Sequence, residues 1–287
     1  MNELIDYITS KGMKVIPSLK LLTHQDPLGF SWSFKKTHPY MINKHTYDPN
    51  NNDVMSLVYG VVDEMIAMFR VKREKPLFFY VGHDEVAGIW PFNNGKWLDY
   101  QTNGNYRSDG VCNDRILTAA EFKMDVLHLY KKIVVENGIR LSMCDDVLIQ
   151  RKEIPTDSRL YGHAGRIEGP TNKWVQVRHE LPRDIIMTDW RYGIPTTCDG
   201  TCDGKKFPSF DIMQNAERFD VMGMSWAISP GNDKRMKYWV DHLLATGNDH
   251  CGIIAAQFYN QTLGDHFQET REIIRKTGTY AYDTVKK

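Results

Sequence analysis

The segment 78–86 carries the residues with the clearest chemical use. It reads Phe-Phe-Tyr-Val-Gly-His-Asp-Glu-Val, so an apolar strand ends in two adjacent carboxylates, Asp84 and Glu85. Burying a charge without compensation costs free energy, and two acids at the end of a buried strand therefore indicate a use. If both lie in one pocket, their repulsion favours keeping a proton on one of them, which suits that group to general-acid catalysis.

The two acids can face one pocket only if the chain bends just before them. Successive side chains of a strand point to opposite faces of the sheet. We therefore expect a bend at Gly82-His83. The alternative is that Asp84 caps the following turn and Glu85 is solvated, and the motif alone leaves both interpretations open.

The elements around this motif alternate between short apolar segments and helical patterns, which is typical of parallel β/α units. The predicted strands are 13–22, 76–81, 139–145, 184–190, 219–226 and 251–259. The predicted helices are 2–11, 53–71, 118–138, 210–218, 233–245 and a segment from about 265. Thr118 and Glu121 have the spacing of a capping box, and Gly12 is expected to end the first helix.

We predict an α/β fold of the (β/α)8 TIM-barrel type, formed by residues 1–287 as a single domain. None of the strands leads into a glycine-rich phosphate loop, which disfavours an open doubly wound sheet. Only six strands can be counted, so we expect an incomplete barrel. Its open strand edges would need a cover, and we expect self-association through the gap to provide it.

Several segments resemble family 20 glycoside hydrolases, the β-N-acetylhexosaminidases. Residues 12–24, GMKVIPSLKLLTH, resemble the third-strand motif of that family, including the spacing from Pro17 to His24. Residues 47–49, YDP, look like its link into the fourth strand. Residues 82–85, GHDE, are similar to its Gly-Gly-Asp-Glu catalytic strand, and residues 143–148, MCDDVL, to its Gly-Trp-Asp-Glu-Ile-Leu fifth strand.

The resemblance implies a retaining exo-glycosidase that removes a terminal 2-acetamido sugar, with the acetamido oxygen of the substrate as nucleophile. Glu85 would protonate the leaving oxygen and then activate water, and Asp84 would orient the acetamido group and stabilise its positive charge. No metal or cofactor is expected. The further substrate-binding candidates are His24, His83, Asp145, Trp190, Tyr192, Trp226 and Tyr259.

The chain also departs from the motifs of that family. Lys20 stands where the family has Asp, Tyr80 where it has His, His83 where it has Gly, and Cys144 where it has Trp. The last strand continues into Tyr259 without the Trp-x-Glu of the family, and no residue matches its first-strand Arg. These departures bear on the identity of the substrate more than on the type of reaction.

Two other functions fit parts of the sequence. A non-catalytic or degenerate carbohydrate-binding barrel would explain the altered motifs. A metal-dependent hydrolase would use His24, His83, Asp84 and Glu85 as ligands, but three of these would have to converge from one short segment. Turnover of a chromogenic 2-acetamido glycoside separates the first alternative from the glycosidase, and metal analysis tests the second.

Composition narrows the classes of partner. The 287 residues contain 36 Lys and Arg against 36 Asp and Glu, and this zero net charge disfavours nucleic-acid binding. No apolar run is long enough to span a membrane, and no signal segment opens the chain, which favours a cytoplasmic location. The 5 cysteines are an odd number and do not indicate a disulfide framework. We expect a carbohydrate or glycoconjugate as the partner, and a homo-oligomer.

Overall fold

Six parallel strands form one sheet in the described part of the chain. In the computed structural model, each strand pairs with the next along the chain, in the order β1-β2-β3-β4-β5-β6. The strands are β1 (Ser18–Leu21), β2 (Phe78–Gly82), β3 (Arg140–Cys144), β4 (Ile186–Asp189), β5 (Asp220–Trp226) and β6 (Ile253–Ala256). The α/β class and the six predicted strand positions are thereby confirmed.

The structure describes residues 2–10, 12, 14–23, 42, 46–71, 75–84, 86, 117–149, 153, 172–189, 210–226 and 253–256. The predicted helices at 233–245 and from about 265 lie outside these residues.

Helices precede or connect the strands. They are α1 (Asn2–Ser10), α2 (Asn52–Val71), α3 (Ala119–Tyr130) and α4 (Asn172–Glu180), with π-helical segments at Lys131–Val135 and Phe210–Ala216. Across the described residues, no helix combines the length and the apolar character needed to cross a membrane.

The ends of two helices follow the predicted signals. The Thr118 side chain accepts a hydrogen bond from the Glu121 backbone N–H at 3.2 Å, while the Glu121 carboxylate accepts from the Thr118 N–H at 2.8 Å. This reciprocal pair satisfies donors that the first turn of α3 leaves open. Gly12 follows α1 with φ of 75° and donates its N–H to the Thr9 carbonyl at 2.9 Å. The predicted capping box and helix stop are both confirmed.

The first strand is shorter than predicted. It begins at Ser18 rather than at residue 13, because Pro17 has no N–H to donate to a ladder. The Pro17 carbonyl still accepts from the Tyr80 N–H at 3.0 Å, so the chain runs beside β2 before the regular pairing begins.

Helix α4 was not among the predicted elements. Its sequence, NKWVQVRHE, is largely polar and shows only a weak apolar stripe, in which Trp174 and Val177 are buried. The buried Arg178 stabilises it instead, because its guanidinium donates to the carboxylates of Glu153 at 2.8 Å and Glu217 at 2.9 Å. Tertiary ion pairs of this kind leave no periodic pattern in the sequence.

The two faces of the sheet differ in character. One face carries apolar side chains such as Phe79, Val81, Leu141 and Met187, which form a continuous core with residues of the helices. Because side chains alternate along a strand, the intervening residues lie on the opposite face. These include Tyr80, Ser142, Cys144 and Thr188, all buried. We call this second face the polar face of the sheet.

Candidate functional site

Acidic residues gather where β2, β3 and β4 end. Asp84 follows β2, Asp145 and Asp146 follow β3, and Asp189 is the last residue of β4. Their exposed fractions are 8%, 0%, 4% and 0%, so each of these carboxylates is buried. The strands are adjacent and parallel, and their carboxyl ends therefore share one edge of the sheet. This is the edge at which parallel α/β proteins place their sites.

The backbone turns sharply just before Asp84. Gly82 has φ of 76° and His83 has φ of 65°, so two consecutive residues adopt the left-handed conformation. Residues other than glycine rarely adopt such a φ. The predicted bend at Gly82-His83 is thus present, whereas Glu85, which it was predicted to bring into one pocket with Asp84, lies outside the described residues. The side chains of His83 and Asp84 point to opposite faces of the sheet.

Substitution of Gly82 by alanine tests how tightly the chain is packed at this bend. A Cβ at Gly82 would lie 3.0 Å from Lys20 Cδ and 3.3 Å from Asp84 Oδ1. Gly12 is a matched control, because its φ of 75° is similar but no atom lies within 4 Å of a Cβ there. We expect Gly12→Ala to lower the free energy of unfolding by about 1 kcal/mol and Gly82→Ala by roughly 2–4 kcal/mol. Chemical denaturation measures both, and equal losses would contradict the crowding at Gly82.

Lys20 of β1 holds the Asp84 carboxylate. Its Nζ lies 2.6 Å from both Oδ1 and Oδ2 of Asp84. The Lys20 side chain is 37% exposed and that of Asp84 is 12% exposed, so the pair lies at the rim of the buried edge. The Thr23 hydroxyl also donates to the Asp84 backbone carbonyl at 2.6 Å. Asp84 is therefore held through its side chain by β1 and through its backbone by Thr23, which lies just after β1.

Negative charges around Lys20 keep its amino group protonated. Burial lowers the pKa of Lys20, but the negative charge of Asp84 and its hydrogen bond, together with the charge of Asp146, outweigh burial and leave the pKa raised. Burial raises the pKa of the neighbouring Cys144 thiol well above its usual range, and the Asp84 charge adds to this rise. Cys144 is consequently a neutral thiol, and Lys20 supplies positive charge at this point of the edge.

Polar pairs continue along the polar face of the sheet. The Tyr80 hydroxyl lies 3.0 Å from Cys144 Sγ, and the Lys20 ammonium lies 5.9 Å from the centroid of the Tyr80 ring. Further along, the hydroxyls of Ser142 and Thr188 are 3.1 Å apart. Three departures from the resembled motifs, at Lys20, Tyr80 and Cys144, thus form one connected cluster beside Asp84.

The ring of His83 lies on the helix side of the sheet. Its Nε2 is 2.7 Å from Asp125 Oδ2, its Nδ1 is 3.2 Å from the Val81 carbonyl oxygen, and it meets the Phe122 ring edge-on. The Tyr47 hydroxyl donates to Asp125 Oδ1 at 3.0 Å. Burial raises the pKa of Tyr47 well above its usual range, with the Asp125 charge as the second cause. We call Tyr47, Asp125 and His83 the buried triad.

The structure describes some of the predicted site residues. Asp84 and Asp145 lie together at the carboxyl edge, whereas the fully buried His83 points into the helix layer, which favours a positioning role over contact with a sugar. Trp226 ends β5, and its side chain is not described. The remaining predicted site residues lie outside the described residues: His24, Glu85, Trp190, Tyr192 and Tyr259.

Several residues of the site were not predicted as site residues, among them Lys20 and Asp125. The sequence pattern could have identified Asp125, because this residue lies in the apolar stripe of α3 beside Phe122, Val126 and Leu129. A carboxylate in such a stripe needs a buried hydrogen-bond partner. The sequence gave little indication that Lys20 belongs to the site, because a lysine near a strand end is usually solvated.

Among the residues that the structure describes, no three His, Cys, Asp or Glu side chains come together in a way that could hold a metal ion. Of the ligands that a metal-dependent hydrolase would need, His83 and Asp84 are described, and they point to opposite faces.

Comparison of the chain with models of known protein families and with curated proteins finds no match.

Proposed function

We propose that the protein is a retaining exo-glycosidase that removes a terminal 2-acetamido sugar by substrate-assisted catalysis. Glu85 is the general acid and then the general base, and Asp84 orients the acetamido group and stabilises the positive charge that develops on it. The pyranose packs against Trp190 and Trp226. The proposal requires no cofactor.

The observation that carries this proposal is the position of Asp84. A strand of buried residues ends in a left-handed bend, and Asp84 follows this bend on the polar side, at the carboxyl edge of the sheet where Asp145 and Asp189 also lie. A buried acid held at this place suits a role in stabilising positive charge, because a low-dielectric setting strengthens its interactions. Glu85, the proposed general acid, is the next residue along the chain.

The strand order supports a barrel as the finer description of the fold. Crossovers between parallel strands are right-handed, so a sheet in which every crossover moves to the next strand places all its helices on one face. The apolar face of this sheet packs on the helices, and the polar face is left for the barrel interior. We propose that the six strands belong to such a (β/α) barrel.

The test is turnover of 4-nitrophenyl β-glycosides of N-acetylglucosamine and N-acetylgalactosamine, with the 4-nitrophenyl β-glucoside as control. The glucoside lacks the acetamido group, so a substrate-assisted enzyme should cleave it at least 10³-fold more slowly. Equal turnover of acetamido and hydroxyl sugars would contradict substrate assistance. Absence of turnover of all three would overturn the proposal.

The second candidate is a non-catalytic carbohydrate-binding barrel, and the ion pair at Asp84 favours it. Lys20 places a cation within 2.6 Å of both oxygens of the carboxylate that the reaction needs. A carboxylate that already has a partner contributes less to a cationic transition state. Calorimetric binding of N-acetylglucosamine without turnover of its 4-nitrophenyl glycoside would support this candidate over the enzyme.

A further inference from the structure

The buried triad belongs to a closed path of hydrogen bonds and chain connections around the carboxyl end of β2, just before Asp84. We call this path the circuit. Its first half runs from β1 to α3. The Tyr47 backbone N–H donates to the Leu22 carbonyl at 3.1 Å, and the Tyr47 hydroxyl donates to Asp125. Tyr47 therefore joins the end of β1 to the middle of α3 by one rigid aromatic side chain.

The second half of the circuit returns from α3 to β1 through the end of β2. Asp125 Oδ2 is 2.7 Å from His83 Nε2, and His83 is bonded directly to Asp84. The Asp84 carbonyl then accepts from the Thr23 hydroxyl at 2.6 Å. Since Thr23 follows Leu22, the circuit closes on the end of β1.

Burial makes this circuit stiff. His83 and Asp125 are 0% exposed and Tyr47 is 1% exposed. Around them lie apolar residues such as Phe122 and Val126, which offer the Asp125 carboxylate no comparable donors. Leaving a buried acid without its donors is costly, so the triad resists rearrangement.

The circuit holds a backbone that is otherwise unfavourable. His83 has φ of 65°, and a residue with a side chain keeps this conformation only where its surroundings impose it. The bond to Asp125 anchors the ring on the helix side. With the ring anchored there, the following residue, Asp84, must leave toward the opposite face.

We propose that Asp125 and Tyr47 are positioning residues that act through His83 to fix the direction in which Asp84 points. Neither residue touches the substrate. The consequence for catalysis rests on the proposed function, whereas the consequence for the geometry of the strand end does not.

The experiment compares Asp125→Asn, Tyr47→Phe and His83→Gly with the unaltered protein. Glycine adopts a positive φ freely, so His83→Gly removes the anchor without adding strain. We expect hydrogen–deuterium exchange of the amides of residues 83–86 to rise about tenfold in each variant, with exchange in β4 unchanged. We also expect kcat to fall on the order of tenfold to a hundredfold while KM changes less than about threefold.

A double-mutant cycle tests whether Asp125 acts through His83. In the His83→Gly background, Asp125→Asn should change the exchange of residues 83–86 and kcat by less than about twofold, because the link between them is already absent. An undiminished effect of Asp125→Asn in that background would overturn the proposal. If Asp125→Asn fails to fold, the same cycle is run with Tyr47→Phe.

Tyr130→Phe is the matched control. Tyr130 also lies on α3, and its hydroxyl donates to a carboxylate, that of Asp184, at 2.8 Å, but this pair lies near the amino end of β4. Its loss should leave exchange of residues 83–86 and kcat unchanged, and an effect equal to that of Tyr47→Phe would contradict positioning. If the unaltered protein turns over no acetamido sugar, the proposed function fails, while the exchange cycle still decides the positioning role.

Discussion

Replacing Glu85 by Gln should reduce turnover of a natural disaccharide at least 10³-fold, while the 4-nitrophenyl glycoside of the same sugar loses far less. General-acid catalysis contributes about 10²–10⁴-fold, and a leaving group that is already acidic needs little of it. Asp84→Asn should slow both substrates by about 10²–10⁴-fold, because it removes the charge that stabilises the acetamido-derived cation. It also leaves the Lys20 ammonium close to that cation. Initial rates with both substrates measure the difference.

Asp184→Asn is a suitable control for these variants, because Asp184 is an exposed acid at the opposite end of the sheet, before β4. It should retain the activity of the unaltered protein. Azide should not rescue Asp84→Asn, since an enzyme without a carboxylate nucleophile has no glycosyl adduct to replace. Trapping a covalent sugar on Asp84 or Glu85 would contradict substrate assistance, and equal losses with both leaving groups would contradict the role of Glu85.

The sequence was sufficient to predict the sheet, because the physical signals of parallel strands are local. Short apolar segments, separated by helical patterns, predict buried strands, and an observed strand lies within or overlaps each of the six predicted segments. The start of helix α3 was equally predictable, since the capping box depends only on the residue types and the spacing of Thr118 and Glu121. The start of β1 and the whole of α4 were not, because they depend on Pro17 beside β2 and on the ion pairs of Arg178.

The candidate site was predictable only as far as single segments allow. The segment Gly82-His83-Asp84-Glu85 alone predicted the bend, since two adjacent acids can face one pocket only where the regular alternation of side chains is broken. The partners of this segment come from distant parts of the chain. Lys20 is 64 residues from Asp84, and Asp125 is 42 residues from His83. No local pattern reports such pairs, so their charges and hydrogen bonds became evident only in the fold.

Lys20→Met should lower the free energy of unfolding by about 2 kcal/mol at pH 7. Breaking a fully buried ion pair costs about 3–5 kcal/mol and an exposed pair about 0–1 kcal/mol, and this pair lies between, with Lys20 37% exposed. The pKa of Lys20 is raised in the folded state. Its contribution is therefore complete below the unfolded pKa of about 10.5 and is lost as the pH rises through the folded value. Denaturation from pH 7 to 11 should show a constant difference from the unaltered protein up to about pH 10.

The same Lys20→Met substitution should accelerate hydrolysis of the acetamido sugar on the order of tenfold, despite the loss of stability. An ammonium roughly 5 Å from a developing positive charge, at an effective dielectric constant of about 20, repels it by about 3 kcal/mol. Removing this repulsion outweighs a modest loosening of Asp84, a trade between stability and activity. Lys20→Arg keeps the charge and should keep the lower rate. If kcat/KM falls in Lys20→Met but not in Lys20→Arg, the cation assists the reaction, and the interpretation of Lys20 as an inhibitory partner of Asp84 is wrong.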